Sequence, residues 1–350
     1  MNSALRPVDS LSTTEEADWR TPVAHEFIAR DFRFHGGEVL PALRLGYTVL
    51  GNPAGEPVLV LHGTGGSGGG LLSHDFGDKL FGVGQPLDAN RHFIMLPDAI
   101  GHGLSAKPSD GMRANFPHYN YDDMVEGQYR IVTEALGLHH LRLVLGASMG
   151  GMHTWLWGVR HPSFMDALIP MSSLPAPMSG RNWLMRRLLI DALRNDPQWA
   201  EGNYVEQPAG VRTASEFFNI ATNGGSLALL KAAPSRADAD RWLESRRALP
   251  FTADANDLLY QYDASRDYDP SSGVGLIRAQ VLMINSTDDE RNPPESGHAQ
   301  RAVERLANGR LVLIPGSEET RGHGTVGMAA LWAEECRAFL ESVPLSRRAA

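Results

Sequence analysis

The first residue of this sequence with potential catalytic chemistry is a serine that lies between glycines. Residues 146–151 read Gly-Ala-Ser-Met-Gly-Gly; they follow a short apolar run at residues 141–145 and precede a helix-like stretch at residues 152–160. A serine on a tight turn from strand to helix needs small neighbours, because its strained backbone must clear both elements. Such a turn presents the hydroxyl at the edge of a sheet. We therefore predict that Ser148 is a nucleophile.

A second glycine-rich segment predicts where a developing negative charge would be stabilised. The apolar residues 58–61 run into His-Gly-Thr-Gly-Gly at residues 62–66. A glycine-rich loop after a buried strand leaves backbone N–H groups free to point into a cleft, as an oxyanion requires. We expect the backbone amides of Thr64 and Met149 to form this oxyanion hole. His62, at the end of the strand, is expected to have a structural role.

A histidine near the end of the chain is the predicted base. A nucleophilic serine requires a base that takes its proton, and the base requires a carboxylate that orients it. With the serine in a turn from strand to helix, the order along the chain is serine, acid and histidine. His323 lies between two glycines in the loop after the last apolar run, residues 311–314. We therefore select His323 from the 13 histidines of the chain.

Three carboxylates in one loop are candidates for the orienting acid. The apolar run at residues 281–284 is followed by Asp288, Asp289 and Glu290, whereas the run at residues 167–171 is followed by Ser-Ser-Leu-Pro. The loop after residues 281–284 is therefore predicted to supply the acid, in the expected order before the histidine. Spacing alone does not separate the three carboxylates. The two that do not orient the base are expected to be solvated or hydrogen-bonded within the loop.

These segments need a fold that brings the ends of several strands together. Short apolar runs without alternation recur along the chain, separated by glycine-rich loops or helical stretches. Strands buried on both faces have this pattern, so we predict an α/β fold with a mostly parallel sheet flanked by helices. The runs are residues 58–61, 93–96, 141–145, 167–171, 281–284 and 311–314.

Two further patterns complete the predicted organisation. Residues 27–34 and 43–50 alternate between apolar and polar side chains, which predicts an antiparallel hairpin. Residues 172–269 separate two core strands, are too many for a loop and are rich in helical segments, so we predict an inserted helical cap. The predicted divisions are an N-terminal arm at residues 1–24, a core at residues 25–171 and 270–343, and the cap at residues 172–269.

Composition and charge exclude several classes of protein. The 350 residues include 32 Lys and Arg against 41 Asp and Glu, which gives a formal net charge of −9. Proteins that bind nucleic acid usually carry a clustered excess of basic residues, so we predict no nucleic-acid partner. The single cysteine, Cys336, cannot form an intramolecular disulfide and has no partners for a thiolate zinc site. We expect it to be a small core residue.

The absence of several motifs bears on cofactors, metals and cellular location. No phosphate-binding loop or Gly-x-Gly-x-x-Gly segment opens a first βα unit, and no His-Glu-x-x-His sequence occurs, so we predict no cofactor and no metal. No apolar run reaches about 18 residues, and the first residues lack the apolar stretch of a secretory signal. We therefore expect a cytoplasmic protein with no membrane partner.

Together these motifs resemble the α/β-hydrolase superfamily, and more narrowly the branch that contains homoserine O-acetyltransferase. The resemblance extends from residues 43–47 through the serine motif and the Arg-His-Pro at residues 160–162 to the last helix. That branch places its acid in an Asp followed by three residues and Pro-Pro, which matches residues 289–294, and its base in a Gly-His pair, which matches His323. The resemblance therefore implies an α/β-hydrolase fold and selects Asp289 as the acid.

Two departures from that branch weigh against acyl transfer. Residues 98–105 read Asp-Ala-Ile-Gly-His-Gly-Leu-Ser, as in many esterases, where the acetyltransferases carry an asparagine and Gly-Gly-Cys; Ala147 stands where they usually have glycine. Our main prediction is therefore a serine hydrolase, a carboxylic ester hydrolase that works through an acyl-enzyme on Ser148. The alternative is an O-acyltransferase that uses acetyl-CoA or another acyl donor and a hydroxyl acceptor such as homoserine.

The expected partner is a small-molecule ester or acyl substrate. Members of the resembling branch often pair through cap helices, so the resemblance favours a homodimer. A binding protein on an inactive hydrolase fold is disfavoured, because serine, acid and histidine are all present. Aromatic residues of the cap are expected to serve in packing, and none is assigned to the site. The sequence pattern does not locate the cap arginine with which that branch holds its amino-acid acceptor.

Overall fold

An eight-stranded sheet forms the framework of the chain, for which the computed structural model describes Trp19 and residues 21–345. The strands are β1 (Val23–Arg33), β2 (Val39–Gly51), β3 (Glu56–Leu61), β4 (His92–Pro97), β5 (Leu141–Ala147), β6 (Met165–Met171), β7 (Gln280–Ser286) and β8 (Gly309–Ile314). Their order in the sheet is β1-β2-β4-β3-β5-β6-β7-β8. β2 pairs antiparallel with β1 and β4, and the other neighbours are parallel. The predicted hairpin and mostly parallel sheet are confirmed.

The interior parallel strands β3 to β7 are buried on both faces, which explains why their sequences do not alternate. In β3, Leu59 and Leu61 pack into one hydrophobic core, whereas Val58 and Val60 pack into the other. Successive side chains of a strand point to opposite faces of the sheet, so each apolar run contributes to both cores.

Helices cover both faces of the sheet. In the described part of the chain the α-helices are α1 (Gly77–Leu80), α2 (Tyr121–Arg130), α3 (Met149–Arg160), α4 (Gly180–Arg194), α5 (Gly210–Thr222), α6 (Ser226–Ala232), α7 (Arg236–Ala248), α8 (Ala255–Asp263), α9 (His298–Glu304) and α10 (Ala333–Ser342). α2 and α3 belong to the first core, and α1 and α10 belong to the second. α4 to α8 all lie between β6 and β7 in the chain.

Four structural findings bear on the remaining expectations. None of the described helices is long and apolar enough to cross a membrane. No group of three or more His, Cys, Asp or Glu side chains is placed to hold a metal ion within Trp19 and residues 21–345. Of the predicted N-terminal arm, residues 1–18 and residue 20 lie outside the described residues. Cys336 is a buried free thiol, and burial raises its pKa to about 12.

Helix α4 carries an unusual buried face. Its buried positions recur at intervals of three or four residues, as expected of a helix with one covered face. Leu189, Ile190 and Leu193 are apolar members of this face, but Asn182 and Arg186 belong to it as well. α4 packs against α5 and α8. A buried arginine costs free energy unless its charge is paired or used, so this face has a purpose besides packing.

Candidate active site

Ser148 lies on a sharp turn between β5 and α3. Its backbone has φ 57° and ψ −113°, a conformation that residues with a side chain rarely adopt. A Cβ at Gly146 would lie 2.2 Å from the carbonyl oxygen of Gly150, and a Cβ at Gly150 would lie 2.1 Å from that of Leu61. A larger residue at either position would clash with the backbone, which explains the glycines around the serine.

Three loops bring Ser148, Asp289 and His323 into one hydrogen-bonded chain. Nε2 of His323 lies 2.8 Å from Oγ of Ser148. Nδ1 of His323 lies 3.0 and 3.1 Å from the two carboxylate oxygens of Asp289. In the tautomer that satisfies both contacts, Nδ1–H donates to the carboxylate and Nε2 accepts from the serine hydroxyl. This arrangement can take the proton of the hydroxyl as its oxygen attacks an acyl carbon.

The electrostatics of this chain favour a neutral imidazole and an ionised carboxylate. Burial lowers the pKa of His323, and the negative charge of Asp289 opposes this shift. The positive charges of Arg291 and Arg186 lower the pKa of His323 further. Burial alone would raise the pKa of Asp289, but His323 and hydrogen bonds from two backbone amides lower it to about 2. At neutral pH the imidazole is therefore a free base beside a fixed negative charge.

The two carboxylates that flank Asp289 in the chain do not contact the imidazole. Glu290 accepts hydrogen bonds from the backbone amides of Gly225 at 2.9 Å and His323 at 3.0 Å. Asp288 accepts a hydrogen bond from a threonine hydroxyl at 2.7 Å. Both therefore hold the loop that carries the histidine. Of the three candidates from the sequence, the structure brings Asp289 to the imidazole.

The glycine-rich loop after β3 passes beside Ser148. A Cβ at Gly63 would lie 3.5 Å from Cβ of Ser148. Nδ1 of His62 lies 2.9 Å from the carbonyl oxygen of Gly63. Nε2 of His102 accepts a hydrogen bond from the amide of Gly65 at 3.3 Å. Burial is the largest cause that lowers the pKa of both histidines, to about 3 for His102. They hold the loop as neutral hydrogen-bonding groups.

The two predicted oxyanion donors belong to the segments that pass beside and follow Ser148. Thr64 follows Gly63 in the glycine-rich loop, and Met149 follows Ser148 as the first residue of α3. The N-terminus of a helix has free backbone N–H groups and a favourable dipole for negative charge. The assignment of Thr64 and Met149 as donors stays a prediction.

The sequence of the loop after β4 counted as evidence against acyl transfer. In the structure, this loop is held by hydrogen bonds to a buried carboxylate. The carboxylate of Asp98 is buried and accepts hydrogen bonds from the backbone amides of Gly68 at 2.6 Å and Leu104 at 2.8 Å. It thereby joins the glycine-rich loop to the loop after β4. Ala147 packs against the second hydrophobic core.

Arg186 is a component of the site that the sequence analysis missed. It is 1% exposed, and its Nε donates to the side-chain oxygen of Asn182 at 3.1 Å. Nη2 lies 3.4 Å from Oγ1 of Thr64, and the guanidinium lies 5.3 Å from the ring centroid of Tyr262. Nη1 is buried with no hydrogen-bond partner. A buried donor without a partner costs about 1–3 kcal/mol or more, which favours the binding of an acceptor there.

Arg291 is a second cation that the sequence analysis missed. It lies two residues after Asp289, its guanidinium is 4.7 Å from the ring centroid of Phe218, and its Nε donates to the carbonyl oxygen of Thr222 at 3.1 Å. Within the described residues, no carboxylate forms an ion pair with Arg291 or Arg186. The site therefore combines a serine, a histidine and an aspartate with two cations that form no ion pair with a described carboxylate.

The sheet, the helices inserted after β6 and the serine turn define the class of α/β enzymes that carry a nucleophile between strand and helix. The chain belongs to the α/β hydrolase fold family, which matches residues 56–319. The family and the branch expected from the sequence are thereby confirmed, and the chain is an enzyme of this family.

Curated relatives of the chain are mostly named as homoserine acyltransferases. The homoserine O-acetyltransferase of Thermobifida fusca is 32% identical over 190 residues, which cover 49% of this chain and 49% of that protein. The homoserine O-acetyltransferase of Methanococcoides burtonii is 26% identical over 324 residues, which cover 80% of this chain and 65% of that protein. The matched part thus spans about half to two thirds of the length of these relatives.

Solved structures share the fold. The homoserine O-acetyltransferase of Bacillus anthracis has a TM-score of 0.81 at 20% identity, with 93% of this chain and 99% of that chain covered. Esterase E22 has a TM-score of 0.77 at 20% identity, with 91% and 100% covered. Identities this low establish the fold and do not decide between an acyltransferase and an esterase.

The prediction of an ester hydrolase as the main activity is wrong. Relatives that match across most of this chain are named homoserine acyltransferases, so the acyltransferase alternative is the better supported. The prediction depended on the Asp98 loop and on Ala147. In the structure, the carboxylate of Asp98 accepts hydrogen bonds from two backbone amides, and Ala147 packs against the second hydrophobic core.

Proposed function

We propose that the chain is an O-acyltransferase that passes an acyl group through Ser148 to the hydroxyl of a homoserine-like amino acid. The observation that carries this proposal is Arg186, a buried cation with an unpartnered Nη1 atom beside the glycine-rich loop. A free amino acid supplies a carboxylate, whose two oxygens match the donors of a guanidinium. The names of the relatives support the same acceptor.

In the first half-reaction, Ser148 attacks the acyl carbon of a thioester donor such as acetyl-CoA. His323 takes the hydroxyl proton as the O–C bond forms, and it gives that proton to the leaving sulfur as the C–S bond breaks. The backbone amides of Thr64 and Met149 would hold the negative charge on the carbonyl oxygen. Asp289 accepts a hydrogen bond from Nδ1–H of the imidazole and so directs Nε2 toward the serine.

In the second half-reaction, the hydroxyl of the acceptor replaces the serine. His323 takes the proton of this hydroxyl as its oxygen attacks the acyl carbon, and Ser148 leaves with the same proton. Arg186 would bind the carboxylate of the acceptor and thereby hold the hydroxyl near Nε2 of the histidine. An acceptor fixed in this way competes with water for the acyl-enzyme.

Helices α5 and α8, whose aromatic rings contact the two arginines, favour acyl transfer over hydrolysis. Phe218 of α5 and Tyr262 of α8 are buried, and their ring centroids are 4.7 Å apart. Excluding bulk water leaves the acyl-enzyme to an acceptor that is bound. We infer that the helices of residues 172–269 act as a cap that provides this dry cover and the acceptor site together.

The test compares two neighbouring arginines of α4, with acetyl-CoA or succinyl-CoA as donor and L-homoserine as acceptor. We expect Arg186→Leu to lower kcat/KM for homoserine about 10²-fold, mainly through KM, because a charge-assisted contact is lost. Release of the CoA thiol in a single turnover should change far less. Arg187→Leu is the matched control, since Arg187 is 59% exposed and pairs with Asp191. Equal losses in both variants, or transfer from neither donor by the native chain, would contradict the proposal.

We further propose that the chain forms a homodimer through α4 and α5. Leu184 and Leu188 of α4 are 64% and 57% exposed, and Phe217 of α5 is 64% exposed. Large apolar side chains on two adjacent helices form a surface that a second copy of the chain would cover with the same surface. Sedimentation should give a dimer for the native chain and a monomer for Leu188→Glu. A monomeric native chain would contradict this proposal.

A further inference from the structure

The turn between α5 and α6 lies against both loops that complete the triad. The carbonyl oxygen of Thr222, the last residue of α5, accepts a hydrogen bond at 3.1 Å from Nε of Arg291 in the loop after β7. The amide of Gly224 donates at 3.1 Å to the carbonyl oxygen of Arg321 in the loop after β8. One short segment of the inserted helices therefore contacts the loop of the acid and the loop of the base together.

Glu290 connects these two loops to the same turn through one carboxylate. One carboxylate oxygen accepts from the amide of Gly225 at 2.9 Å, and the other accepts from the amide of His323 at 3.0 Å. Glu290 itself follows Asp289 directly in the chain. A carboxylate accepts hydrogen bonds on both oxygens, and bonds to an ionised acceptor are stronger than bonds between neutral groups. The backbone of the base, the turn and the acid are thus joined by a single side chain.

Two glycines allow this close approach. Gly225 has φ 72°, and a Cβ there would lie 2.8 Å from the amide nitrogen of Gly322. Gly322 has φ 53°, and a Cβ there would lie 2.1 Å from a carboxylate oxygen of Glu290. Residues with a side chain rarely adopt these conformations, and the added carbon would push the segments apart. The contact therefore requires glycine on both sides.

The contacts of the His323 imidazole require its backbone to lie in one place. Nε2 lies 2.8 Å from Oγ of Ser148, and Nδ1 lies 3.0 Å from Oδ1 of Asp289. A misplacement of reacting groups by about 1 Å can lower a rate by about 10²-fold. Because the amide of His323 donates to Glu290, a movement of this carboxylate moves the base as well.

We propose that Glu290 is a positioning residue that makes the reactive placement of His323 depend on the contact between the inserted helices and the catalytic loops. The inference rests on the roles of Ser148 and His323 in the proposed function and names the residue that places the base. While the turn lies on the loops, the amide of Gly225 holds the carboxylate in line with the amide of His323. α5 also packs against α4, which carries Arg186. The acceptor site and the base are therefore linked through one side chain.

The experiment measures how fast Ser148 reacts with a fluorophosphonate, followed by intact mass. The probe needs neither an acyl donor nor an acceptor: the serine oxygen bonds to phosphorus, fluoride leaves, and His323 takes the serine proton. Glu290→Gln keeps one acceptor oxygen and sets an NH2 group against the other amide, so labelling should slow about 10- to 100-fold. Glu295→Gln is the matched control, because Glu295 is exposed in the same connection between β7 and α9, and it should label at the native rate.

A second readout separates positioning from a loss of folded protein. In acyl transfer to L-homoserine, kcat of Glu290→Gln should fall by a factor similar to that for labelling. KM for L-homoserine should stay close to the native value, because Arg186 is unchanged. A general loss of structure would change both constants.

A second pair of variants tests the link from the side of the inserted helices. Gly225→Ala places a Cβ against the amide of Gly322 and should also slow labelling about 10-fold or more. Gly84→Ala is the control, since Gly84 has the same φ of 72° but no atom lies within 4 Å of its Cβ. Because Glu290→Gln and Gly225→Ala break the same link, the double variant should be at most about twofold slower than the slower single variant.

The outcomes of these assays are distinguishable. Labelling of Glu290→Gln at the native rate would remove Glu290 from the placement of His323. Losses that multiply in the double variant would show that the turn and the carboxylate act independently, which would overturn the link. A native chain that labels at Ser148 but transfers no acyl group would contradict the proposed function, and the labelling rates would still decide this inference. A native chain whose Ser148 is not labelled would overturn both.

Discussion

The triad and the two arginines lie side by side, but the protein satisfies the hydrogen bonds of the first and leaves those of the second incomplete. Asp289 accepts from the imidazole of His323 and from backbone amides, and the imidazole also contacts Ser148. Arg186 keeps a buried Nη1 atom with no partner, and Arg291 forms no ion pair with a carboxylate among the described residues. In the proposed function, the triad is therefore preorganised for the reaction, and the cations select the substrate through the anion that they bind.

Replacement of the nucleophile of the triad should lower the rate of acyl transfer more than any other substitution discussed. Ser148→Ala removes the oxygen that carries the acyl group, so we expect transfer to homoserine to fall by at least about 10⁴-fold. The arginines are unchanged, so the variant should still bind L-homoserine in isothermal titration. Ser235→Ala, at the exposed start of α7, is the control and should keep full activity. Retained transfer in Ser148→Ala would remove this serine from the mechanism.

Neutralisation of the acid of the triad should cause the next largest loss of activity. Asp289→Asn keeps the shape of the side chain but loses the charge that orients the imidazole, so we expect kcat to fall about 10³- to 10⁴-fold. Asp288→Asn is the matched control, because Asp288 contacts a threonine hydroxyl instead of the imidazole. A larger loss in Asp288→Asn than in Asp289→Asn would show that the acid is assigned to the wrong residue.

The smallest expected effect is a shift in the pH dependence of kcat/KM. This shift reports the electrostatic coupling between the arginines and the triad. Because burial lowers the pKa of His323, kcat/KM should rise with pH and reach half its maximum below pH 6.5. Arg291→Leu removes a positive charge that lowers this pKa further, so the midpoint should move to higher pH. Arg310→Leu is the control, because Arg310 stacks on Phe339 in another region, and it should leave the midpoint unchanged. A shift to lower pH in Arg291→Leu would contradict the proposed electrostatics.

Much of the framework could be predicted because its signals are local. Apolar runs such as residues 141–145 indicate strands buried on both faces, and the glycines around Ser148 indicate a turn that admits no larger side chain. The loop that contains Asp289 also follows from the sequence, although only the structure shows which of its three carboxylates contacts the imidazole.

The two arginines could not be identified in the same way, because their surroundings come from distant parts of the chain. Arg291 owes its orientation to Phe218 and Thr222 of α5, which no local pattern connects to it. Arg186 did leave a signal. It occupies a position of the buried face of α4, between Asn182 and Leu189, where an amphipathic helix normally carries an apolar residue. A charged residue on a covered face is therefore a useful sign of a binding site.

The central claim is that the triad forms an acyl-enzyme that an acceptor, and not water, resolves. The most direct test is the intact mass of the native chain after mixing with succinyl-CoA or acetyl-CoA in the absence of an acceptor. We predict a mass increase of one acyl group that is absent in Ser148→Ala, persists without an acceptor, and disappears as the homoserine ester forms on addition of L-homoserine. Release of the free acid at the same rate with and without L-homoserine would contradict the account.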